Sequence, residues 1–321
     1  MHIFRWDIDK TYLETSFSSF RGLLKTAIET ADQKKNVPGS AALLRSLITS
    51  NPGCRVTVIS GSPTQLRPVL EEKFAIDGVD IDELVLKDNL KNIRRGRFKA
   101  VTNQIGYKLP SLFFQRRGLG PTVKETLFGD DTEADALIYA LYAAGLAEQV
   151  DEDTISRVMA AMDTPKETIQ KTLNALRNTI HGAVVDHIFI RVHRGLPIGC
   201  YRALGPRVIP VFSWYQAAVI LHLSGKLSLQ GLEQTTQSCT LSDQLSDIQL
   251  SWLTQDLIRR GLLDNAMYLE SIQKSPIMNT LIPHLSQVDS DLGSRQPKTK
   301  NEPVDYLSFV RDIHEWKPQK T

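Results

Sequence analysis

The sequence predicts an α/β fold, namely a doubly wound parallel sheet with a helical insertion and a helical C-terminal extension. In the first half of the chain, short apolar runs alternate with longer segments of helical period. Alternating strands and helices imply parallel strands joined by right-handed crossovers. Polar residues follow several of the apolar runs, and the ligands of such sheets bind beyond the carboxyl ends of the strands. We therefore expect the functional residues at that edge of the sheet.

Short apolar segments predict the strands, at residues 3–8, 56–60, 84–86, 126–128, 184–192 and 208–212. Helical spacing predicts helices at residues 39–49, 64–74, 134–146 and 215–224. Three larger segments follow: an α/β domain over residues 1–225 with a helical insertion at about 147–181, a helical extension over 226–286, and a mobile tail over 287–321.

The composition restricts the class of protein. The 321 residues are 41% hydrophobic and 23% charged, which is typical of a globular protein and excludes disordered, collagen-like and disulfide-rich classes. Three distant cysteines, Cys54, Cys200 and Cys239, have no disulfide or zinc-site spacing. No apolar run approaches the roughly 18 residues of a membrane span, and the first residues do not resemble a signal peptide. We expect a cytoplasmic protein.

The net charge is only +2, but the charge is unevenly distributed. Between residues 87 and 118, nine basic side chains and a single acid, Asp88, give a local charge of +8, whereas acids dominate residues 124–135. A solvated helix face and a surface that attracts a large polyanion are both consistent with this basic stretch. Its basic residues are Lys87, Lys91, Arg94, Arg95, Arg97, Lys99, Lys108, Arg116 and Arg117.

Two acids, Asp7 and Asp9, stand at the end of the first predicted strand. Where the strand ends and the chain turns, both carboxylates can converge on one site above the sheet. A bound cation relieves their mutual repulsion, and carboxylate oxygens suit Mg²⁺. An isolated pair of this kind also occurs as turn residues that cap the next helix, so the assignment depends on the motifs that follow.

Three further polar motifs follow in order along the chain. Ser60, with Gly61 and Ser62, offers hydroxyls and free backbone amides that can hold an anion. Lys108 is a point charge that can neutralise a phosphate or an attacking carboxylate. The segment 129–135, Gly-Asp-Asp-Thr-Glu-Ala-Asp, begins where the fourth predicted strand stops. Its acids supply the second half of a metal site.

In order and character, these four motifs resemble those of the haloacid dehalogenase (HAD) superfamily of phosphohydrolases. Within it, the sequence most resembles the catalytic domain of the actin-patch type of phosphatidate phosphatase and its bacterial relatives, over about residues 1–215. The matching motifs are Asp7 through Thr11, Pro38-Gly39, Ser60-Gly61-Ser62-Pro63-Thr64-Gln65-Leu66, Lys108-Leu109, and Gly129-Asp130 through Asp135 to Ile138-Tyr139. The resemblance implies a HAD-like, Rossmannoid α/β domain.

The resemblance also implies a phosphoric monoester hydrolase that works through an aspartyl-phosphate. It makes Asp7 the nucleophile and Asp9 the general acid and base. Ser60 and Lys108 would bind the transferring phosphoryl group as catalytic residues, with Gly61 and Ser62 as further substrate-binding residues. Mg²⁺ is the implied cofactor, and its implied ligands are Asp7, the Asp9 backbone carbonyl, Asp130 and Asp135, with Asp131 as the alternative to Asp135.

Lys10 departs from the family pattern, which has an acid at this position. In ion-pump ATPases the nucleophile directly precedes a Lys-Thr pair, and that register would make Asp9 the nucleophile. It places Leu13 four residues after the nucleophile, whereas Asp7 as the nucleophile places Asp9 and Thr11 two and four residues on. The second register supplies a proton donor and a hydroxyl where a hydrolase needs them, so we prefer it.

The expected substrate is a phosphomonoester, and the basic stretch favours phosphatidate or another polyanion. A peripheral contact with anionic lipid is expected, and nucleic acid is not the expected partner of the enzyme. The sequence leaves open whether the reaction is hydrolysis or phosphotransfer to another acceptor, and it leaves the oligomeric state open. The alternative is a non-catalytic HAD-like module that binds nucleic acid or acidic membrane through residues 87–117. Joint retention of the motif residues favours the enzyme; they are Asp7, Asp9, Ser60, Lys108, Asp130 and Asp135.

Overall fold

Six strands form one parallel sheet in the computed structural model, which confirms the predicted fold class. The structure describes residues 1–14, 30–87, 97–243, 245–281, 285 and 304–316. The strands are β1 (His2–Trp6), β2 (Arg55–Pro63), β3 (Glu83–Lys87), β4 (Lys124–Asp130), β5 (Val185–Arg191) and β6 (Val208–Val211). All six coincide with predicted strands, although β2 continues three residues beyond its expected end.

The strand order is β3-β2-β1-β4-β5-β6. β1 lies between β2 and β4, with Phe4 opposite Val56 on one side and Thr126 on the other. It is buried along its whole length, as expected for a central strand covered on both faces. The chain builds the sheet outward from β1 in one direction and then from β4 in the other. Such a reversal opens a crevice at the carboxyl ends of β1 and β4, which is where these sheets bind ligands.

Helices connect the strands and continue along the chain after β6. They are α1 (Ser40–Ser50), α2 (Arg67–Ile76), α3 (Arg97–Arg116), α4 (Asp135–Leu146), α5 (Glu152–Ala161), α6 (Lys166–Arg177), α7 (Trp214–Leu223), α8 (Leu229–Asp243), α9 (Asp247–Arg259), α10 (Asn265–Ile272) and α11 (Tyr306–Glu315). Within the described residues, no helix combines the length and the apolar character that crossing a membrane requires.

The chain divides into two compact units. The first comprises Met1–Lys35, Gly53–Pro210 and Pro303–Thr321, and the second comprises Asn36–Pro52 and Val211–Glu302. The second unit therefore contains α1 as well as α7 to α10. Within the second unit, α1 packs against α8.

The longest helix, α3, is not among the predicted elements. Gly106 and Pro110 interrupt its sequence, and both residues are poor helix formers. The helix forms because one face buries Ile105, Leu109 and Leu112 in the core, at the i, i+4 and i+7 spacing of an amphipathic helix. This packing holds Lys108 in its position beside the sheet.

Helix α11 lies within the segment 287–321, for which the sequence predicts a mobile tail. It buries Tyr306, Phe309 and Val310. Asp305 caps the helix by accepting a hydrogen bond from the Ser308 backbone N–H, and a buried apolar face provides the packing that a short helix needs. Residues 287–303 of the same segment lie outside the described residues, so the mobile tail stays a prediction there.

Candidate functional site

Asp7 and Asp130 lie at the crevice between β1 and β4. Asp7 is the first residue after β1, and its backbone N–H donates to the Phe128 carbonyl at 2.9 Å. Asp130 is the last residue of β4. The Trp6 and Phe128 rings stack just below them, with centroids 4.1 Å apart. The two acids are thus fixed by the sheet itself rather than by a loop.

Lys108 joins three acids from different parts of the chain. Its Nζ donates to Asp7 Oδ1 at 2.8 Å, to Asp135 Oδ1 at 2.6 Å and to Glu133 Oε2 at 2.9 Å. The lysine side chain is fully buried. Burial opposes its charge, but the carboxylates of Asp135, Asp7 and Glu133 outweigh burial and hold the pKa of Lys108 well above its usual value. Lys108 is therefore a permanent cation at the centre of the site.

The carboxylates around Lys108 carry more negative charge than the one ammonium group can neutralise. Burial, reinforced by the neighbouring carboxylates, raises the pKa of Asp7 and of Asp130 well above the usual value. Burial also raises the pKa of Asp135 to about 6, although Lys108 opposes this shift. Desolvation and like charges both favour the protonated form of a carboxyl group. A cation added to this cluster would reverse that preference.

Three carboxylate oxygens are available to such a cation. Asp7 Oδ2, Asp130 Oδ2 and Asp135 Oδ2 are buried and accept no hydrogen bond from any described residue. An unpaired buried polar atom is costly, and oxygen donors of this type match a hard divalent cation. Asp7, Glu133 and Asp135 each place one oxygen within 4.8 Å of the others. These acids could therefore hold a divalent metal ion.

Asp9 contacts the serine motif. Its Oδ2 accepts hydrogen bonds from the Ser62 hydroxyl at 3.1 Å and from the Ser60 hydroxyl at 3.4 Å. Ser60 Oγ in turn accepts the backbone N–H of Ser62 at 3.0 Å. All three side chains are buried. The predicted catalytic acid and the predicted phosphoryl-binding serines thus form one hydrogen-bonded group next to Asp7.

Asp131, named as the alternative to Asp135, has a different role. Its carboxylate accepts the backbone N–H groups of His193, Arg194 and Gly195 at 2.7, 2.7 and 3.2 Å. These bonds tie the end of β4 to the loop after β5. Asp135 is the residue that bonds to Lys108, so the structure distinguishes two acids that the sequence alone leaves equivalent.

Lys10 lies in a tight turn after β1. Its backbone is left-handed, with φ of 63°, a conformation that asparagine and aspartate adopt more readily than lysine. The Lys10 N–H donates to the Leu13 carbonyl at 2.8 Å, and Arg191 donates to the Lys10 carbonyl at 3.1 Å. The residue that departs from the family pattern therefore fits the same turn, which presents Asp9 to the site.

Glu133, Gln104 and Tyr139 are site residues that the sequence analysis does not assign. Gln104 Nε2 donates to Glu133 Oε1 at 3.0 Å, and Gln104 lies one helical turn before Lys108 in α3. The Tyr139 hydroxyl is buried, with no hydrogen-bond partner among the described residues. The four-residue spacings of Gln104 to Lys108 and of Asp135 to Tyr139 place each pair on one helix face. This signal can be used only when both segments are known to be helical.

The basic stretch does not form a single surface. Lys108 lies in the site, and Arg116 is buried and donates to Glu125 Oε1 at 2.9 Å. Glu125 also accepts a hydrogen bond from buried Arg5 at 2.7 Å. Residues 88–96, with Arg94 and Arg95, lie outside the described residues, as do the side chains of residues 97–103. A polyanion-binding role for this stretch stays a prediction.

Gly129 lies closely packed against α4. We expect Gly129→Ala to lower the free energy of unfolding by about 1–3 kcal/mol. A Cβ at this position would lie 2.7 Å from Asp135 Cβ and Oδ2 and 2.8 Å from Tyr139 Cε2. Urea denaturation measures the loss. Gly199→Ala is the control, because a Cβ there meets no atom within 4 Å. Equal stability of the two variants would contradict the expectation.

Comparison with known proteins agrees with this geometry. Residues 6–156 match the family model described as phosphatidate phosphatase APP1, catalytic domain. That segment contains all of the acids around Lys108, and Lys108 itself. No curated protein matches the chain significantly. The resemblance drawn from the motifs is thus confirmed, and residues 6–156 of this chain are a match to the catalytic domain of the phosphatidate phosphatase APP1 family.

Proposed function

We propose that this chain is a HAD-type, Mg²⁺-dependent phosphatase that hydrolyses a phosphomonoester through an aspartyl-phosphate at Asp7. The observation that carries the proposal is the buried Lys108 ammonium, which binds Asp7 and Asp135 at the carboxyl edge of the sheet. Around it, three aspartates each keep one buried oxygen without a described partner. The family match supports the reaction class, since the matched domain is described as a phosphatidate phosphatase.

Asp7 is the nucleophile in this proposal. One of its oxygens forms a bond to phosphorus while the bond between phosphorus and the alcohol oxygen breaks. Asp9 gives its proton to the leaving alcohol oxygen in that step. Asp9 then takes a proton from the water that attacks the phosphoryl group, which releases inorganic phosphate and restores the Asp7 carboxylate.

The contacts of the second acid support this division of labour. Ser60 and Ser62 both donate to Asp9 Oδ2, which fixes the carboxyl group without neutralising it. Lys108 instead contacts Asp7, at 2.8 Å. A cation beside one acid favours its ionised form, as a nucleophile requires, whereas the Ser60 and Ser62 hydroxyls that donate to Asp9 carry no charge. Lys108 opposes the rise in the pKa of Asp7 that burial causes, and a bound metal ion would add to this effect.

Asp7, Asp130 and Asp135 would hold Mg²⁺ through the oxygens to which no described residue donates a hydrogen bond, together with the Asp9 backbone carbonyl. When bound, Mg²⁺ supplies positive charge that offsets the repulsion between the acids and an incoming phosphate. Lys108 contributes the same kind of charge at Asp7 Oδ1 and orients that carboxylate.

The proposed substrate is phosphatidate or another polyanionic phosphomonoester, and the proposed partner surface is anionic lipid. The description of the matched family supports this choice. A panel of phosphomonoesters with Mg²⁺ tests it, with phosphatidate in vesicles, a sugar phosphate and an aryl phosphate as the three arms. The proposal is supported if phosphatidate is the only substrate turned over, or if it is clearly preferred. Turnover of the sugar phosphate or the aryl phosphate without turnover of phosphatidate contradicts the proposal of a lipid substrate.

Asp130→Asn tests the metal site. In the wild-type protein, Mg²⁺ at about a hundredfold its Kd is expected to stabilise the fold by about 2.7 kcal/mol, because it relieves the repulsion among the acids. The variant keeps an oxygen for the turn bonds to Thr132 and Glu133 but loses the free carboxylate oxygen. We expect it to lose both Mg²⁺-dependent stabilisation and activity.

Differential scanning calorimetry and titration calorimetry with Mg²⁺ measure these losses. Asp153→Asn is the matched control, since Asp153 is 75% exposed on α5 and takes no part in the site. Equal Mg²⁺ affinity of the Asp130 variant and the control would show that Asp130 is not a ligand.

A further inference from the structure

Glu133 differs from the three aspartates around Lys108 in how its oxygens are used. Glu133 Oε2 accepts from Lys108 and Oε1 accepts from Gln104. Asp7, Asp130 and Asp135 each retain one buried oxygen that no described residue contacts. Both oxygens of Glu133 are therefore engaged by protein donors, whereas each aspartate keeps one oxygen that a metal ion could use.

Lys108 has no spare donor in this arrangement. A lysine ammonium carries three N–H groups, and here they are directed to Asp7, Asp135 and Glu133. A phosphoryl oxygen that binds Lys108 must therefore replace one of these acids. The side chains of Asp7 and Asp135 are 1% and 0% exposed, whereas Glu133 is 22% exposed. Glu133 is the partner that can leave toward solvent.

Gln104 holds Glu133 in this position. Its amide lies directly over Gly61, where a side chain on the glycine would overlap with Gln104 Nε2. The same nitrogen donates to Glu133 Oε1 at 3.0 Å. Gln104 thus connects the serine motif at the end of β2, helix α3 and the acidic segment after β4. These are the elements that a phosphoryl group in the proposed site would contact.

We propose that Glu133 is a gating carboxylate: it occupies on Lys108 the place that a phosphoryl oxygen takes, and Gln104 is the latch that holds it there. This inference rests on the proposed phosphatase function. Phosphate and Glu133 are both anions that compete for one N–H group, so binding of any phosphate includes the displacement of Glu133. The gate weakens the binding of a small anion such as inorganic phosphate, the reaction product, and favours a substrate whose other contacts offset the displacement.

Glu133→Gln tests the gate through the affinity for inorganic phosphate, measured by titration calorimetry with saturating Mg²⁺. Removal of the competing charge is expected to tighten phosphate binding about tenfold, the equivalent of about 1.4 kcal/mol. The control is Glu167→Gln, at a residue that is 80% exposed on α6, which should bind phosphate like the wild type. Unchanged or weaker phosphate binding by Glu133→Gln would overturn the proposal.

Gln104→Ala provides an independent test, because it frees the latch without changing the acid. We expect phosphate binding about threefold tighter than in the wild type. A loss of Mg²⁺ affinity of about tenfold in Glu133→Gln would overturn the gate, since it would make Glu133 a metal ligand. The proposed function has a separate readout: if the wild type turns over no phosphomonoester, that function fails, while tighter phosphate binding by both variants would still support the gate.

Discussion

Replacing Asp7 with asparagine abolishes turnover and leaves the protein folded. We expect kcat to fall by at least about a thousandfold, because the amide keeps the shape of the side chain but is too weak a nucleophile to form a bond to phosphorus. The fold should persist because the backbone N–H of Asp7, not its side chain, bonds to the Phe128 carbonyl. Burial raises the pKa of Asp7, so a neutral side chain costs little there.

Rapid acid quench followed by peptide mass spectrometry is the direct measurement. Wild-type protein quenched during turnover should yield a phosphorylated peptide that contains Asp7, and the asparagine variant should yield none. Asp153→Asn makes the same chemical change at an exposed position and should behave like the wild type. Full activity in Asp7→Asn would indicate that Asp9 is the nucleophile, and that the first motif has the alternative register.

The sheet and the positions of its acids could be predicted because both depend on local patterns. Each predicted strand is a short apolar run, and Asp7, Ser60 and Asp130 follow or end such runs. Parallel strands bring their carboxyl ends to one edge whatever the details of packing. The parallel arrangement of the strands, which the sequence predicts, therefore brings together residues more than 120 positions apart.

The rest of the site depends on tertiary packing. Helix α3 contains Gly106 and Pro110, so local propensity argues against it, and its buried face alone accounts for it. The partners of Lys108 could not be known without that helix. Asp131 and Asp135 are the same residue type four positions apart, and only the backbone amides after β5 determine that Asp131 turns away. The contact of Gln104 with Glu133 likewise joins two elements whose relative position the sequence does not specify.

The second large effect is expected at Lys108. Lys108→Met replaces the ammonium with an uncharged side chain of similar length, which leaves Asp7 and Asp135 buried without their cation. Removing one partner of a buried ion pair costs about 3–5 kcal/mol, and protonation of the acids limits the loss to the lower end, about 3 kcal/mol. The activity should fall at least about a hundredfold, since the phosphoryl group loses the only ammonium among the described residues that contacts Asp7.

The effect of Mg²⁺ on this variant separates the two roles of Lys108. Mg²⁺ supplies charge to the same acids, so it should restore most of the lost stability of Lys108→Met, and urea denaturation with and without Mg²⁺ measures this. It should not restore activity, because the metal ion cannot take the place of an ammonium that lies on Asp7 Oδ1 and donates hydrogen bonds from its own position. Lys171→Met, at a side chain that is 69% exposed, controls for the loss of a lysine. If Lys108→Met were as active with Mg²⁺ as the control, Lys108 would act only on stability, and the phosphoryl group would have to be bound by the serine motif alone.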